Sequence, residues 1–391
     1  METRGQHIRL IAAGIAMVGT TFGLARYGYG LLLPDIRRSF GLTSAELGLI
    51  ATGSYVAYLL SSAAMTLLGG RVALRTPVVV GGVAAVGGMA VIALARSPYV
   101  LAAGVLVAGA SAALAYPPFS GAVAGRLPRE LQGRALSMIS SGTGWGVALA
   151  VPIALLVNPD WRSAWWTFAA IAAVATVFAA VALRPRRRDH DSARQRALPP
   201  LSWSWFVCPR SGPLLVGAFL VGAGASVYWT FAADFASTGV GQDAGAVLLG
   251  VVGVSSVLGS FAGDVLERVG GRRALRWSAA ALAGAMCVLA AWHGSWLGVV
   301  LSAAAFGATY NVLLAVQVIW SGRVFAQRPA TGLAAMLFML GLGQVVGPVL
   351  AGLLADGAGL PAAFFAGGAS IALTGLLPPR EELRAVATAR G

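Results

Sequence analysis

Long apolar runs alternate with short polar connections along the whole chain. Most runs are about 20 residues long, which is the length that an α-helix needs to cross the hydrocarbon core of a bilayer. The pattern therefore predicts an all-α membrane protein with twelve transmembrane helices. The predicted helices are residues 10–33, 46–68, 76–95, 99–123, 134–157, 161–183, 213–236, 243–262, 274–292, 295–320, 331–354 and 360–378.

One polar connection is much longer than the others and is rich in arginine. It covers residues 184–212 and leaves six predicted helices on each side. The division predicts an N-terminal six-helix bundle at 1–183, a basic linker, and a C-terminal six-helix bundle at 213–391. We expect the linker to lie along the membrane surface, with its arginines near anionic lipid headgroups and with Trp203 and Trp205 dipping into them.

Composition and charge placement support this class. The 391 residues are 58% hydrophobic and 11% charged, whereas soluble domains carry about 25% charged residues. The net charge of +14 does not indicate nucleic-acid binding, because the arginines lie between apolar runs and form no basic patch on a soluble fold. With the N terminus inside, 23 arginines fall in inner segments and four in outer ones. This bias predicts that both termini and the linker are cytoplasmic.

The two halves of the chain also resemble each other. A shift of 199 residues superimposes three glycines and a valine of the first half on the same residue types in the second. A parallel repeat of six helices is typical of transporters whose binding site lies at the repeat interface, near the bilayer midplane. The superimposed residues are Gly133, Gly142, Gly144 and Val147 with Gly332, Gly341, Gly343 and Val346.

Enzyme chemistry finds little support in the sequence. There is no Ser/His/Asp set, no P-loop and no carboxylate pair at membrane depth. Cys208 and Cys287 are far apart and the three histidines are scattered, so neither a disulfide nor a metal site is indicated. We therefore expect no enzyme activity, no cofactor and no metal, and transport driven by a gradient.

The candidate functional residue that stands out is Arg26, in the first apolar run. A guanidinium at membrane depth costs several kcal/mol or more unless it faces protein or water. Arg26 is therefore predicted to face an internal cavity, as a substrate or gate residue. Tyr29 shares its helical face at a spacing of three. The alternative is that Arg26 snorkels to the headgroups or forms a structural pair.

A loop between the eighth and ninth predicted helices carries a family motif, GDVLERVGGRR. It resembles the G-x-x-x-D-R-x-G-R-R cytoplasmic loop of the major facilitator superfamily. The resemblance implies a breakable latch between the bundles, with Glu267 paired to Arg323. The first-half copy, GGRVALRT, is degenerate, because Gly70 stands where the acid belongs. The matching loop residues are Gly263, Glu267, Arg268, Gly270, Arg272 and Arg273.

A second resemblance is narrower. The string FGLARYGYGLLLPDIR in the first helix resembles the YbfB/YjiJ-like permeases, a bacterial branch grouped with sugar and drug efflux transporters. This resemblance implies a multi-pass protein of the bacterial cytoplasmic membrane that exports a small organic molecule in exchange for protons. Two alternatives stay open, namely uptake of an organic anion held by Arg26 and a transport-inactive sensor. We expect a monomer.

The superfamily resemblance also implies that helices one, four, seven and ten line the central cavity. Polar and aromatic residues on these helices and their neighbours are therefore candidate substrate residues, although packing and interhelical hydrogen bonds would explain many of them equally well. They are Tyr55, Tyr58, Tyr116, Trp145, Thr230, Asp234, Tyr310, Asn311 and Gln317. Arg26 and Asp234 lie at similar depths, so we expect them to form a salt bridge when the outer side is closed.

Overall fold

The computed structural model describes residues 2–68, 72–156, 160–184, 211–256, 270–325 and 329–377. Within these residues the secondary structure is helical and contains no strand. The first half contains α1 (Glu2–Val18), a π-helix (Gly19–Leu24), α2 (Gly28–Leu31), α3 (Leu33–Phe40), α4 (Ser44–Leu68), α5 (Arg75–Ala93), α6 (Pro98–Arg126), α7 (Arg129–Leu156) and α8 (Trp161–Ala182). The second half contains α9 (Gly212–Gly239), α10 (Ala244–Ser256), α11 (Gly271–Trp292), α12 (Trp296–Val324), α13 (Pro329–Ala358) and α14 (Leu360–Thr374).

Twelve apolar helical segments are present among the described residues, which confirms the predicted fold class. Ten are long and apolar enough to span a membrane, and the shorter apolar helices α10 and α14 supply the other two. The proposed division at 184–212 stays a prediction, because residues 185–210, including Trp203 and Trp205, lie outside the described residues.

The first predicted helix, 10–33, is wrong in one respect, because it is not continuous. After α1 the chain forms the π-helix, then a turn, then α2 and α3. The π-helix contributes hydrogen bonds that reach back five residues, such as Ala25 N to Thr20 O at 2.8 Å. Pro34, near the start of α3, lacks the N–H that would continue the helix from the preceding turn.

Side-chain contacts identify which helix ends lie together. At the end where α1 begins, the His7 ring is 3.1 Å from the carbonyl oxygen of Arg126, and the Arg126 guanidinium donates to Ala182 O. We call this the near end. At the opposite end, the far end, the Trp161 indole donates to Ser39 Oγ and Arg162 donates to Ala95 O.

The far-end loop before α8 provides a conventional helix start. The carboxylate of Asp160 accepts hydrogen bonds from the Ser163 hydroxyl and the Arg162 backbone N–H. These bonds, first the one from Ser163, hold the pKa of Asp160 below its usual value. The ionised side chain therefore caps α8 at neutral pH.

Backbone meets backbone where the two halves touch at the far end. A Cβ atom added at Gly30 would overlap the carbonyl oxygen of Trp229 on α9. One added at Gly48 would likewise overlap the carbonyl of Pro348 on α13. Only glycine permits such close approach, so at these positions the backbones of the first and second halves can lie in direct contact.

Candidate functional site

The break in the first membrane-spanning segment positions Arg26. π-Helical turns are rare and are frequent at functional sites. Here the π-helix packs against α7, where a Cβ at Gly23 would lie 2.6 Å from the Cα of Gly146. Arg26 follows directly, in the turn between the π-helix and α2. The break thus sets the direction in which the Arg26 side chain leaves the backbone.

The Arg26 side chain is buried, with 7% of its surface exposed. Its Nη2 donates a 2.7 Å hydrogen bond to Oε1 of Gln344, on α13 in the other half of the chain. Its Nε is buried without a hydrogen-bond partner among the described residues. The salt bridges formed by the described residues involve Arg37 and Arg38, and Arg26 takes part in neither.

Aromatic rings surround the Arg26 guanidinium. Its Cζ lies 4.3 Å from the ring centroid of Tyr58 and 4.8 Å from that of Tyr55. The rings of Phe22 and Tyr27 are each 5.7 Å away. Ring faces attract cations within about 6 Å, so these contacts help to keep the charge buried without a carboxylate from any described residue.

The second half of the chain completes this group of residues. Trp229 on α9 stacks on Tyr27 at a centroid distance of 4.1 Å and meets Tyr310 on α12 edge to face at 5.9 Å. The Tyr55 hydroxyl lies close to the Thr230 side chain. The Nε1 of Trp229 is buried without an acceptor in the described part of the chain. We call the following residues the Arg26 cluster: Phe22, Arg26, Tyr27, Tyr55, Tyr58, Trp229, Thr230, Tyr310 and Gln344.

A separate polar network closes the far end. Arg37 Nη2, on α3, lies 2.8 Å from Oδ2 of Asp234 on α9 and 3.1 Å from Oγ of Ser44 at the start of α4. The Asp356 carboxylate, at the end of α13, accepts the backbone N–H groups of Ser44 and Ala45 at 2.9 Å each.

A carboxylate at a helix N terminus satisfies free N–H groups and complements the helix dipole. The network therefore ties α3 and α4 of the first half to α9 and α13 of the second. We call Arg37, Ser44, Asp234 and Asp356 the far-end clamp.

The expected salt bridge between Arg26 and Asp234 is wrong for this structure. Although the far end is closed, Asp234 pairs with Arg37 and Arg26 bonds to Gln344. The reason is geometric. Similar depth along two helices brings residues together only when their side chains face each other, and the break after the π-helix turns Arg26 toward α4 and α13 instead.

The structure brings four of the other predicted site residues, Tyr55, Tyr58, Thr230 and Tyr310, into the Arg26 cluster. Tyr29 lies elsewhere, because its hydroxyl donates to Leu47 O at 3.0 Å and ties α2 to α4.

Three other candidates have their nearest described contacts within their own half of the chain. The Asn311 amide donates to Ser256 O at 3.2 Å, joining α12 to α10. The hydroxyls of Tyr116 and Ser140 are 2.9 Å apart, between α6 and α7. Gln317 is fully buried and faces Gly217 of α9, with neither amide atom hydrogen-bonded to a described residue.

Trp145, another candidate substrate residue, makes no ring contact with Arg26 or Trp229 among the described residues. It is 55% exposed and lies on one side of α7 with the exposed residues Met138 and Leu149. These residues follow helical spacings of seven and four, so they form one apolar stripe. Such a stripe suits contact with lipid. Trp145 is therefore not part of the Arg26 cluster.

Part of the predicted near-end latch falls outside the described residues, namely Gly263, Glu267 and Arg268. Gly270 has a φ of 82°, which favours glycine, and Arg272 and Arg273 follow in the first turn of α11. Arg323 Nη1 lies 3.7 Å from the Cβ position of Gly271, so it is next to this loop. The Glu267–Arg323 pair stays a prediction.

Several residues of the cluster and the clamp were missed by sequence reasoning, and Tyr27, Arg37 and Gln344 show why. In an unbroken helix the Tyr27 side chain would point away from that of Arg26, so the sequence gives no sign of their contact. Arg37 lies just after the first apolar run, where an arginine is expected in a loop. Gln344 is an amide in an otherwise apolar, glycine-rich segment of α13. A polar side chain in such a place is costly unless it has a partner, so this signal was available.

The chain matches the family model for the Major Facilitator Superfamily over residues 15–263 and 214–389. A comparison with curated protein sequences finds no match.

Solved structures show the same fold. A point mutant of the nucleoside transporter NupG superimposes with a TM-score of 0.78 at 14% identity, over 94% of this chain and 98% of that one. Unmutated NupG gives a TM-score of 0.74 at 14% identity, over 95% and 97% of the two chains. At this identity the likeness concerns the fold alone.

Proposed function

This chain belongs to the Major Facilitator Superfamily, and on that premise we propose that it is a secondary active transporter whose Arg26 cluster binds the substrate. The family match, together with the shared fold, establishes that the chain is a transporter of a small molecule. The proposal adds the location of the site and an alternating-access cycle.

The observation that carries the proposal is that the Arg26 cluster is shared between the halves. The Arg26–Gln344 hydrogen bond and the Tyr27–Trp229 stack both cross from the first half to the second. When transporter halves move against each other around a central site, such contacts must break and re-form. Substrate bound there would therefore be coupled directly to the movement.

The far-end clamp supports one state of the cycle. With Arg37 bound to Asp234, and Asp356 bound to the start of α4, the far end is closed. Substrate would exchange with the Arg26 cluster from the near end. The arginine distribution favours a cytoplasmic near end, with both termini inside a bacterial cytoplasmic membrane.

Proton-coupled export by a monomer is the form of transport that the branch resemblance favours. Asp234 is a carboxylate at membrane depth whose protonation would remove the charge that holds Arg37. Uptake of an anion remains a second form of the same function. NupG is by name a nucleoside transporter, so a nucleoside is a useful neutral probe.

Flux measurement in proteoliposomes with an imposed pH gradient tests the proposal. Uridine and phenylacetate serve as probes, and Arg26→Gln is compared with Arg162→Gln. Arg162 also contacts aromatic rings, at 4.2 Å from Trp161, but lies at the far-end surface. We expect flux of at least one probe, lost in the Arg26 variant and kept in the Arg162 variant. Binding of a probe without any flux would instead favour a sensor.

A further inference from the structure

We infer that the substrate is an organic anion, a small carboxylate joined to an aromatic or similarly apolar body, with its carboxylate on Arg26. The inference rests on the proposed function, because it names the substrate class of the same site. Three observations carry it: the charge of the cluster, its hydrogen-bonding groups and its rings.

The charge of the site is unbalanced. Arg26 is 7% exposed and forms no salt bridge with a described residue. Asp234, the carboxylate expected to pair with Arg26, is held by Arg37. Ring faces and one amide oxygen offset only part of the free energy that burying a guanidinium costs. A bound anion would offset the remaining cost. The planar guanidinium can donate two parallel hydrogen bonds to a carboxylate.

The hydrogen-bonding groups of the site also point to an acceptor. Arg26 Nε and Trp229 Nε1 are buried N–H donors without acceptors among the described residues. Both flank the same ring, because the Arg26 guanidinium and the Trp229 indole each contact Tyr27. Other described residues also have buried donors without partners, such as Trp165 Nε1 and Arg272 Nε, but the Arg26 and Trp229 donors belong to side chains that contact one ring. A carboxylate offers acceptors only, so it satisfies these donors without bringing a donor that would itself need a partner.

Most of the other residues of the site are aromatic. Phe22, Tyr55 and Tyr58 present ring surfaces around the charged group, and Tyr310 meets Trp229 edge to face. Aromatic walls with a few fixed polar groups are typical of sites for small organic molecules. Inorganic anions would leave these rings without a contact, so the expected ligand has an apolar body.

Thermal-stability measurements on the purified protein can show whether binding depends on the charge of the ligand or on its shape. Phenylacetate and indole-3-acetate are each compared with the isosteric amide, phenylacetamide and indole-3-acetamide, and uridine is added as a neutral nucleoside. A ligand that binds the folded state raises the apparent melting temperature. We expect the carboxylates to raise it more than their amides do, and Arg26→Gln to weaken carboxylate affinity at least about tenfold.

Two further variants serve as controls for this test. Arg26→Lys retains the positive charge if the glutamine variant does not fold, and should keep part of the carboxylate effect. Arg162→Gln removes a surface guanidinium and should keep all of it. Equal shifts by acid and amide, or by uridine alone, would overturn the inference.

Flux then separates this inference from the proposed function. Uridine flux that is lost in Arg26→Gln, with no binding of either carboxylate, would refute the anion site while leaving the proposed function intact. Carboxylate binding that depends on Arg26 but gives no flux would refute transport while leaving the anion site intact.

Discussion

The far-end clamp makes a quantitative prediction about the conformational equilibrium. Asp234→Asn removes the charge that holds Arg37 and leaves a side chain of nearly the same size. The Asp234 side chain is 4% exposed and that of Arg37 is 30% exposed. Removing one partner of a fully buried pair costs about 3–5 kcal/mol, whereas exposed pairs contribute about 0.2–1 kcal/mol.

A pair with one buried and one partly exposed member falls between these limits. We take about 2 kcal/mol, from the same two ranges. This energy is present only when the far end is closed, because opening separates α3 from α9. The variant should therefore lower the ratio of far-end-closed to far-end-open protein by about 30-fold, since about 1.4 kcal/mol corresponds to a factor of ten.

Electron–electron distance measurement between spin labels is the assay. Tyr99→Cys and Trp296→Cys place labels at the exposed far-end starts of α6 and α12, one in each half, in a background without Cys208 and Cys287. Asp234→Asn should increase the population at long distances. The matched control is Asp35→Asn, because Asp35 pairs with Arg38 within α3 alone. An unchanged distance distribution in Asp234→Asn, or the same change in Asp35→Asn, would refute the reasoning.

Three further substitutions give distinct outcomes. Gly30→Ala puts a Cβ into the carbonyl of Trp229, so the far end should no longer close and flux should fall sharply; unchanged flux would contradict the observed contact. Asp356→Asn keeps one hydrogen bond to the start of α4 but loses the charge, so it should destabilise the closed state by about 1 kcal/mol, measured as a smaller shift in the same distance distribution. Glu267→Gln should slow transport while leaving ligand affinity nearly unchanged, as initial rates and binding isotherms would show; a large affinity loss would argue against a latch.

Hydropathy alone was sufficient to predict the number of helices. A helix that spans a bilayer needs a certain length and an apolar composition, and single residues do not change that pattern. The family loop and the repeat likewise led to the superfamily, which the family match confirms. The YbfB/YjiJ-like branch, which rests on one string in the first helix, stays a prediction.

The details of the site were less accessible, because they depend on one local irregularity. Helical spacing placed Tyr29 beside Arg26, but the π-helix and the following turn bring Tyr27 there instead. The irregularity is stabilised by contact with Gly146 on α7, more than a hundred residues away in sequence. No local pattern reveals such a contact. The partner of Asp234 was missed for a related reason, since Arg37 reaches inward from a short helix that hydropathy assigns to the surface.

The backbone contacts at Gly30 and Gly48 bear on the speed of the cycle. Where side chains interlock, separating two surfaces requires them to change rotamers and to pass one another, which adds an activation barrier. At these two contacts no glycine side chain is inserted between the halves, so they part without such steps. The hydrogen bonds and ion pair of Arg37, Ser44, Asp234 and Asp356 then dominate the resistance to opening. A transporter built in this way can be held shut firmly by a few polar groups and still open rapidly once one of them is neutralised.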